Sequence, residues 1–262
     1  MGIFDKLFGK KQSEHDHAPQ PVKEQIHIPT AKETFDVLGY TPSIPKPVEA
    51  QKTFRSFTYE EIEQMIADNP NSSKFRLERQ QQTTSMHTME WEQFKMKSKG
   101  SFVALDFETT SLDNSNGYIV EIGTVRVRNG VITDRFHQYV NPNTPMPKDA
   151  QAVNQITDDM LVGKPFIFQV VPDILDFIGT DIIVAHNATF DFGFLAQACM
   201  NYRFKIPKKW FDSMDLKEVW PGLPNRKLQT FLEAAGIVNK EAHRADSDAE
   251  ALALLMIESL KK

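Results

Sequence analysis

The sequence predicts an α/β domain in which a mixed β-sheet is flanked by helices. The apolar segment "SFVALDF" (101–107) has the composition of a buried strand, and residues 117–140 have the pattern of a β-hairpin. After the hairpin, helical patterns alternate with another buried strand. Strands that pair first in antiparallel order and then alternate with helices are typical of a mixed sheet with helices on its faces. This domain covers residues 100–262 and leaves residues 1–99 as an N-terminal extension.

The extension combines a proline-rich stretch with two short helical patterns. Residues 12–50 contain repeated prolines among polar residues and no helical or strand period, which predicts a flexible linker. A helix is predicted at about 58–68 because Thr58 and Glu61 have the spacing of a capping box. A second short helix is predicted at about 88–98. No chemistry is apparent in this extension, and such tails often dock partner proteins.

Within the domain, each further element has a local signal. In the hairpin, Asn129-Gly130 supplies a turn with positive φ. The segment "DIIVAHN" at 181–187 predicts a second buried strand. Ser247 and Glu250 have capping-box spacing, so the last helix is predicted to begin at Ser247. The predicted helices of the domain are 169–179, 188–200, about 213–219, about 226–236 and 247–259.

Composition narrows the class of protein. The chain has 262 residues, of which 25% are charged and 40% hydrophobic, as in ordinary soluble globular proteins. Its single cysteine, Cys199, excludes an intrachain disulfide and lies in an apolar run where it is expected to be buried. No apolar run approaches the roughly 20 residues that span a bilayer, and no secretory signal is present, so a cytoplasmic location is expected.

The charge balance bears on nucleic-acid binding. The net charge of −5 supplies no overall basic field, although a local basic patch binds phosphates in acidic proteins too. The segment "NYRFKIPKKW" (201–210) interleaves basic and aromatic residues. That pattern suits backbone and stacking contacts with a single strand, but it equally suits a solvated loop whose aromatic side chains belong to the core.

Two carboxylates end the first strand in "VALDFETTSLD". Asp106 and Glu108 are two residues apart, so on a strand their side chains share one face. Adjacent carboxylates repel each other, and the repulsion becomes an attraction when a divalent cation lies between them. Hard cations such as Mg²⁺ and Mn²⁺ prefer oxygen ligands. The pair therefore predicts a metal platform, with a solvated strand end as the alternative.

Two further acidic segments open helices. Asp191 falls in the first turns of a helix, just after His186 and Asn187 at the carboxyl end of a strand, where ligand sites of open α/β sheets gather. Asp248 falls in the first turn of the last helix, where the helix dipole favours the ionised carboxylate. His243 precedes it by five residues on a loop and suits a general base. Asp246 is assigned to capping or to solvent.

The segments "DFETT", "HNATFDFGFL" and "HRADSDA", in this order, resemble the DEDD exonuclease superfamily, histidine branch. This superfamily includes the proofreading epsilon subunit of bacterial replicative DNA polymerase. The resemblance covers roughly residues 100–260. It implies a ribonuclease H-like fold and a metal-dependent 3′→5′ exonuclease that releases 5′-mononucleotides from single-stranded or frayed DNA. A DNA polymerase or another replication or repair protein is the candidate partner, reached through residues 1–99, because tails and short helices of this kind often dock partner proteins.

The resemblance assigns roles one residue at a time. Asp106 would bridge two divalent ions, Mg²⁺ or Mn²⁺, Glu108 and Asp248 would hold the ion that carries the attacking water, and Asp191 would support the second ion. His243 would accept the proton of that water. The expected substrate contacts are Thr109, Thr110, Leu112, His186 and Phe190.

The chain departs from the family pattern at two places. Asn154-Gln155 stands where many relatives have His-Gly, in a loop that borders their site, and Ser111 stands where many have Gly. Two alternatives remain open. One is an exoribonuclease that trims RNA or short oligoribonucleotides, since the choice of sugar depends on a few contacts to the 2′ position. The other is a non-catalytic adaptor that binds nucleic acid or a polymerase.

Overall fold

The computed structural model describes residues 56–77 and 86–262, and the linker predicted at 12–50 lies outside them. The described residues contain a five-stranded sheet with the order β3-β2-β1-β4-β5. The first three strands are antiparallel neighbours, and β4 and β5 run parallel to β1. The strands are β1 (Phe102–Thr109), β2 (Ile119–Arg128), β3 (Val131–Tyr139), β4 (Ile183–Ala185) and β5 (Trp210–Asp212). The predicted mixed sheet is confirmed.

Helices cover both faces of the sheet. They are α1 (Tyr59–Ala67), α2 (Ser72–Phe75), α3 (Trp91–Ser98), α4 (Lys148–Asn154), α5 (Asp158–Leu161), α6 (Ile167–Ile178), α7 (Ala188–Asn201), α8 (Leu228–Ala235) and α9 (Ala245–Ser259), with a 3-10 helix at Ser213–Glu218. None of the helices in the described part of the chain is long and apolar enough to cross a membrane.

The two faces of β1 belong to two apolar cores. Val103 and Leu105 pack with α6 and α7, whereas Phe102 and Ala104 pack with α8 and α9. Successive side chains of a strand point to opposite faces, so even-numbered β1 residues face α9. Asp106 is therefore on the α9 face. Cys199 is fully buried in the first core, as predicted.

The described part of the N-terminal extension packs onto these cores. α1 begins with the predicted capping box, in which Thr58 and Glu61 bond reciprocally. Its Ile62 and Ile66 are buried with α6 and α7, and Phe94 of α3 is buried in the other core. These helices therefore contribute to the stability of the domain. The division of the chain at residue 99 stays a prediction.

Local turn chemistry is confirmed in the hairpin but not at the last helix. Asn129 and Gly130 have φ values of 51° and 75°, as their turn requires. The last helix begins at Ala245, so the capping box predicted at Ser247 is wrong. Ser247 lies inside the first turn, where its hydroxyl accepts the Glu241 N–H. The helix starts earlier because Glu121 on β2 accepts the N–H of Ala245 at 3.1 Å.

Strand β5 has no signal in the sequence, because three residues are too short for a period. It pairs with β4 in parallel, from Ile183↔Trp210 to Ala185↔Asp212. On its other side, the N–H of Met89 donates to the carbonyl of Trp210 at 3.0 Å. The segment before α3 therefore covers this edge of the sheet.

Gly123 allows the last helix to rest directly on the sheet. It is the β2 partner of Asp106, so the two residues share one face. A Cβ atom at position 123 would lie 2.0 Å from the carbonyl oxygen of Ala245. Only the absence of a side chain allows this approach, which brings the first turn of α9 beside the acidic end of β1.

We expect Gly123→Ala to lower the free energy of unfolding by about 3 kcal/mol, because overpacking costs about 1–3 kcal/mol and the clash is with backbone. Urea denaturation measures the change. Gly193→Ala is the matched control, since a Cβ atom at position 193 would lie 3.0 Å from the side-chain Nδ2 of Asn114, which can move aside. Equal stability of the two variants would contradict the close contact between β2 and α9.

Candidate active site

The site lies where β4 stops and β1 continues. β4 ends at Ala185, and its register with β1 reaches only Ala104↔Val184. The N–H of Phe107 on β1 donates to Asp191 Oδ1 at 3.2 Å instead. Asp191 is 2% exposed. A backbone group freed by the short strand therefore fixes Asp191 beside the acidic end of β1.

Asp212 holds the start of the helix that carries Asp191. Its carboxylate accepts the N–H groups of Asn187 and Ala188, both at 3.1 Å, and that of Met214 at 2.9 Å. Asn187 has φ 62°, a left-handed conformation in which this carboxylate holds it. Asp212 is not among the predicted site residues, because its one signal in the sequence is an acid directly after the apolar pair Trp-Phe.

The last helix brings Asp248 to the same place. The Asp248 carboxylate accepts bonds from the Asn239 side-chain amide and from the N–H of His243, the latter at 3.0 Å. His243 is exposed and has φ 64°. Glu108, His243 and Asp248 offer ligand atoms that all lie within 4.8 Å of one another. Residues 135 positions apart in the sequence thus meet at one end of β1.

Burial and repulsion from neighbouring carboxylates disfavour the ionised form of the four acids. Burial, followed by repulsion from Asp248, raises the pKa of Asp106 well above its usual range. The same two causes raise the pKa of Glu108 to about 8. Burial also raises the pKa values of Asp191 and Asp248. Because oxygen ligands with unbalanced negative charge are what a hard divalent cation requires, this donor set fits Mg²⁺ or Mn²⁺.

Asn154, where the chain departs from the family pattern, lies beside the acids. Asn154 is 2% exposed at the end of α4, and its amide donates to the Thr109 carbonyl at 3.3 Å. Its side chain also bonds to Glu108 and opposes the rise in the pKa of that carboxyl. Gln155, at φ 58°, ends the helix. Asn154 therefore contacts a predicted metal ligand directly.

The predicted substrate residues at the end of β1 lead into a loop that is held by hydrogen bonds of two hydroxyl groups. The Thr109 hydroxyl donates to the carbonyl of Ser111 at 2.6 Å, and the Thr110 hydroxyl accepts the N–H of Tyr118 at 2.9 Å. Leu112 is partly exposed on this loop. On α7, Phe190 is partly buried, with its ring centroid 5.0 Å from that of Phe194. Their contacts with substrate stay predictions.

His186 has partners inside the protein. Its Nε2 donates to the Arg226 carbonyl and its Nδ1 accepts from the Ser213 hydroxyl, both at 2.8 Å. The tautomer follows because a carbonyl only accepts. Burial lowers the pKa of His186 to about 4, so the ring is neutral at physiological pH. His186 joins the end of β4 to the 3-10 helix, and the contact with substrate expected for it is untested.

The structure favours the solvated-loop alternative for the basic segment at 201–210. Phe204 and Trp210 are buried in the apolar core. Arg203 pairs with Glu63, and the Lys209 ammonium donates to the Thr180 carbonyl. The segment leads into the amino end of β5, which runs parallel to β1 through β4, whereas the acids lie at the carboxyl end of β1.

Glu121 is a charged residue that the sequence analysis missed. It is fully buried and is the β2 partner of Glu108. It accepts hydrogen bonds from Arg244, Ala245 and His137. Its signal in the sequence was a single acid inside the apolar run "YIVEIG", which is unusual because unpaired charges are almost never buried.

Comparison with known proteins gives three kinds of likeness. A family model described as "RNase_T: Exonuclease" matches residues 103–256. DNA polymerase III subunit epsilon of Aquifex aeolicus is 32% identical over 166 residues, which are 62% of this chain and 82% of that protein. The PolC-type DNA polymerase III of Clostridium perfringens is 35% identical over 162 residues, and this chain spans 11% of its length.

A solved structure, exonuclease X in complex with 5′ overhanging duplex DNA, is 28% identical, with a TM-score of 0.50. The match covers 61% of this chain and 91% of that one. The predicted ribonuclease H-like exonuclease fold is confirmed.

The raised pKa of Glu108 predicts how stability without metal depends on pH. The pKa rises from 4.5 to about 8 on folding. The protonated Glu108 carboxyl therefore stabilises the folded state fully below pH 4.5, and this contribution is lost as the pH rises through about 8. We expect Glu108→Gln to raise the free energy of unfolding at pH 8 by about 1–3 kcal/mol and to change it little at about pH 4.

Urea denaturation in the presence of a chelator, at both pH values, measures this difference. Glu258→Gln is the control, because that glutamate lies at the far end of α9 and pairs with Lys261. An equal effect of Glu108→Gln at both pH values would show that Glu108 ionises normally.

Proposed function

Because the chain belongs to the exonuclease family and, within it, to the histidine branch of the DEDD superfamily, we propose that it is a metal-dependent 3′→5′ exonuclease acting on DNA. It would release 5′-mononucleotides from single-stranded or frayed 3′ ends. The observation that supports this function is the convergence of Asp106, Glu108, Asp191 and Asp248 beside His243.

The four acids would hold two divalent ions, which lower the pKa of the attacking water and balance the charge on the leaving 3′ oxygen. His243 accepts the proton of the water, since it lies on an exposed loop next to Asp248 and an imidazole is basic near neutral pH. Asn154 orients the Glu108 carboxylate, and the Phe107 N–H orients that of Asp191.

The loop after β1 would bind the 3′ end of the DNA strand. Thr109 and Thr110 lie next to the acids, and their hydroxyls fix the conformation of the loop. Leu112 would lie beside the terminal bases, and Phe190 would line the position of the scissile bond. These roles follow from the family resemblance and from the place of each residue at the carboxyl end of β1 or the start of α7.

Similarity to proteins named as DNA polymerase III subunits supports DNA as the substrate and a polymerase as the partner. A replication partner agrees with the cytoplasmic location expected from the sequence. Within the described part of the extension, α1 and α3 bury apolar residues against the domain. A partner that binds there would contact their outward faces, where Met96 is 69% exposed.

We expect the protein to shorten 5′-labelled single-stranded DNA stepwise from the 3′ end with Mn²⁺ or Mg²⁺ and not with EDTA. Asp248→Asn is expected to reduce the rate on the order of 10³-fold or more, because it removes an acid from the donor set. Asp246→Asn is the matched control, since Asp246 is an exposed acid in the same helical turn. Its rate should stay within about twofold of wild type.

The same assay tests the alternatives. Faster cleavage of an RNA oligomer of identical sequence would favour the exoribonuclease. Wild-type rates for Asp248→Asn would refute the site. An absence of both cleavage and Mn²⁺ binding would favour the non-catalytic adaptor.

His243→Ala tests the general base separately from metal binding. We expect the rate of cleavage to fall about 10²–10⁴-fold, which is the usual contribution of a positioned base. The affinity for Mn²⁺, measured by calorimetry without DNA, should change little. Loss of Mn²⁺ binding with unchanged turnover would contradict the role of base.

A further inference from the structure

Glu121 adds a fifth carboxylate to a site where four already repel one another. It is fully buried, and its side chain faces that of Glu108 across the β1–β2 register. Its charge contributes to raising the pKa values of Asp106 and Glu108. A buried charge in this position is costly unless specific donors stabilise it. None of the roles assigned above to the acids requires it.

The donors that stabilise Glu121 come from β3 and from the start of α9. Arg244 Nη2 donates to Oε1 at 2.9 Å, and Arg244 Nε lies 3.3 Å from both oxygens. The Ala245 N–H donates to Oε2 at 3.1 Å, and His137 Nε2 donates to Oε1 at 2.7 Å. Burial opposes ionisation, but these bonds keep the pKa of Glu121 below its usual value.

These contacts attach the chain immediately after His243. His243 has φ 64°, a conformation that residues other than glycine rarely adopt, and such conformations persist only where the surroundings impose them. Residues 240–243 are exposed, so apolar packing does not impose it. The loop is fixed on one side by the bond from the His243 N–H to Asp248 and on the other by Arg244.

Glu121, His137 and Asp246 also offer atoms close enough for a cation. The Arg244 guanidinium, however, already bonds both Glu121 oxygens, and its charge would repel a metal ion. The contacts therefore favour a protein-internal partner for Glu121 over a second metal site.

We infer that the Glu121–Arg244 pair is a positioning device that holds His243 at the distance from Glu108 and Asp248 at which it acts as a base. The inference rests on the proposed function, since it gives Glu121 an effect on catalysis that passes through His243. Two parallel bonds between a guanidinium and a carboxylate fix direction as well as distance. Anchoring at residues 244 and 245 leaves the His243 backbone little freedom.

A double-mutant cycle tests the device. Single-turnover cleavage of 5′-labelled single-stranded DNA is measured for wild type, Glu121→Gln, His243→Ala and the double variant. We expect Glu121→Gln to slow cleavage about 10–100-fold in the presence of His243, as a misplaced catalytic group does. In the His243→Ala background, it should slow cleavage by no more than about twofold, because the group that it positions is absent.

Two measurements without DNA accompany the cycle. The affinity of Glu121→Gln for Mn²⁺ alone should stay within about threefold of wild type. Amide hydrogen exchange in the peptide that contains residues 240–245 should be faster, because the loop has lost an anchor. Arg244→Lys repeats the cycle with a variant that keeps the charge and loses the two parallel bonds, which covers the case in which Glu121→Gln folds poorly.

Asp181→Asn is the matched control. Asp181 Oδ2 accepts bonds from Arg126 at 2.7 Å and Arg128 at 2.6 Å, so it forms a similar partly buried ion pair with the same strand, away from the acids. It should lower thermal stability and leave the rate of cleavage within about twofold of wild type.

The outcomes separate the two proposals. The positioning role is overturned if the rate reductions of the two single variants multiply in the double variant. It is also overturned if Glu121→Gln weakens Mn²⁺ binding and leaves the rate of cleavage unchanged. If wild type shows no metal-dependent cleavage of DNA or RNA, or if His243→Ala cleaves at the wild-type rate, the proposed function fails first.

Discussion

Repulsion among carboxylates at the end of β1 is the constraint on which the rest of this structure depends. Two unit charges about 5 Å apart repel by roughly 3 kcal/mol at the effective dielectric of protein sites. Asp106, Glu108, Asp191 and Asp248 are nevertheless brought together, and burial, with repulsion from neighbouring carboxylates, raises their pKa values. Such a site is poorly stable by itself and is suited to a doubly charged cation.

The scaffold around the acids compensates for this repulsion with directed donors. Asp191 receives the Phe107 N–H, and Asp248 receives the His243 N–H and the Asn239 amide. Glu108 accepts a hydrogen bond from the Asn154 side chain. In the part of the chain that the structure describes, no buried side-chain polar atom lacks a hydrogen-bond partner. The position of each acid is therefore set by hydrogen-bond donors, and these donors come from several helices, strands and loops.

What the sequence predicted and what it did not can be separated by the range of the interactions. The hairpin turn at Asn129-Gly130 and the capping box at Thr58 depend on neighbours in sequence, and both are confirmed. The start of α9 depends on Glu121, which lies 124 residues earlier, so spacing at Ser247 gave a wrong boundary.

The residues of the candidate site divide in the same way. Metal-ligand chemistry restricts residue types strongly enough for the acids to be recognised at their positions. The residues that orient them do not share a residue type. Asn154, Asp212 and Glu121 act through contacts between distant elements, and only the fold brings those contacts together.

The contact of Gly123 with Ala245 has a consequence for biosynthesis. Asp106 lies on the first strand of the sheet, whereas Asp248 lies on α9, which is translated after the other strands and helices of the described chain. During synthesis from the N-terminus, the first turn of α9 reaches its place on β2 only after the ribosome has released that helix. The nascent chain therefore carries an incomplete cluster of acids until α9 packs on β2.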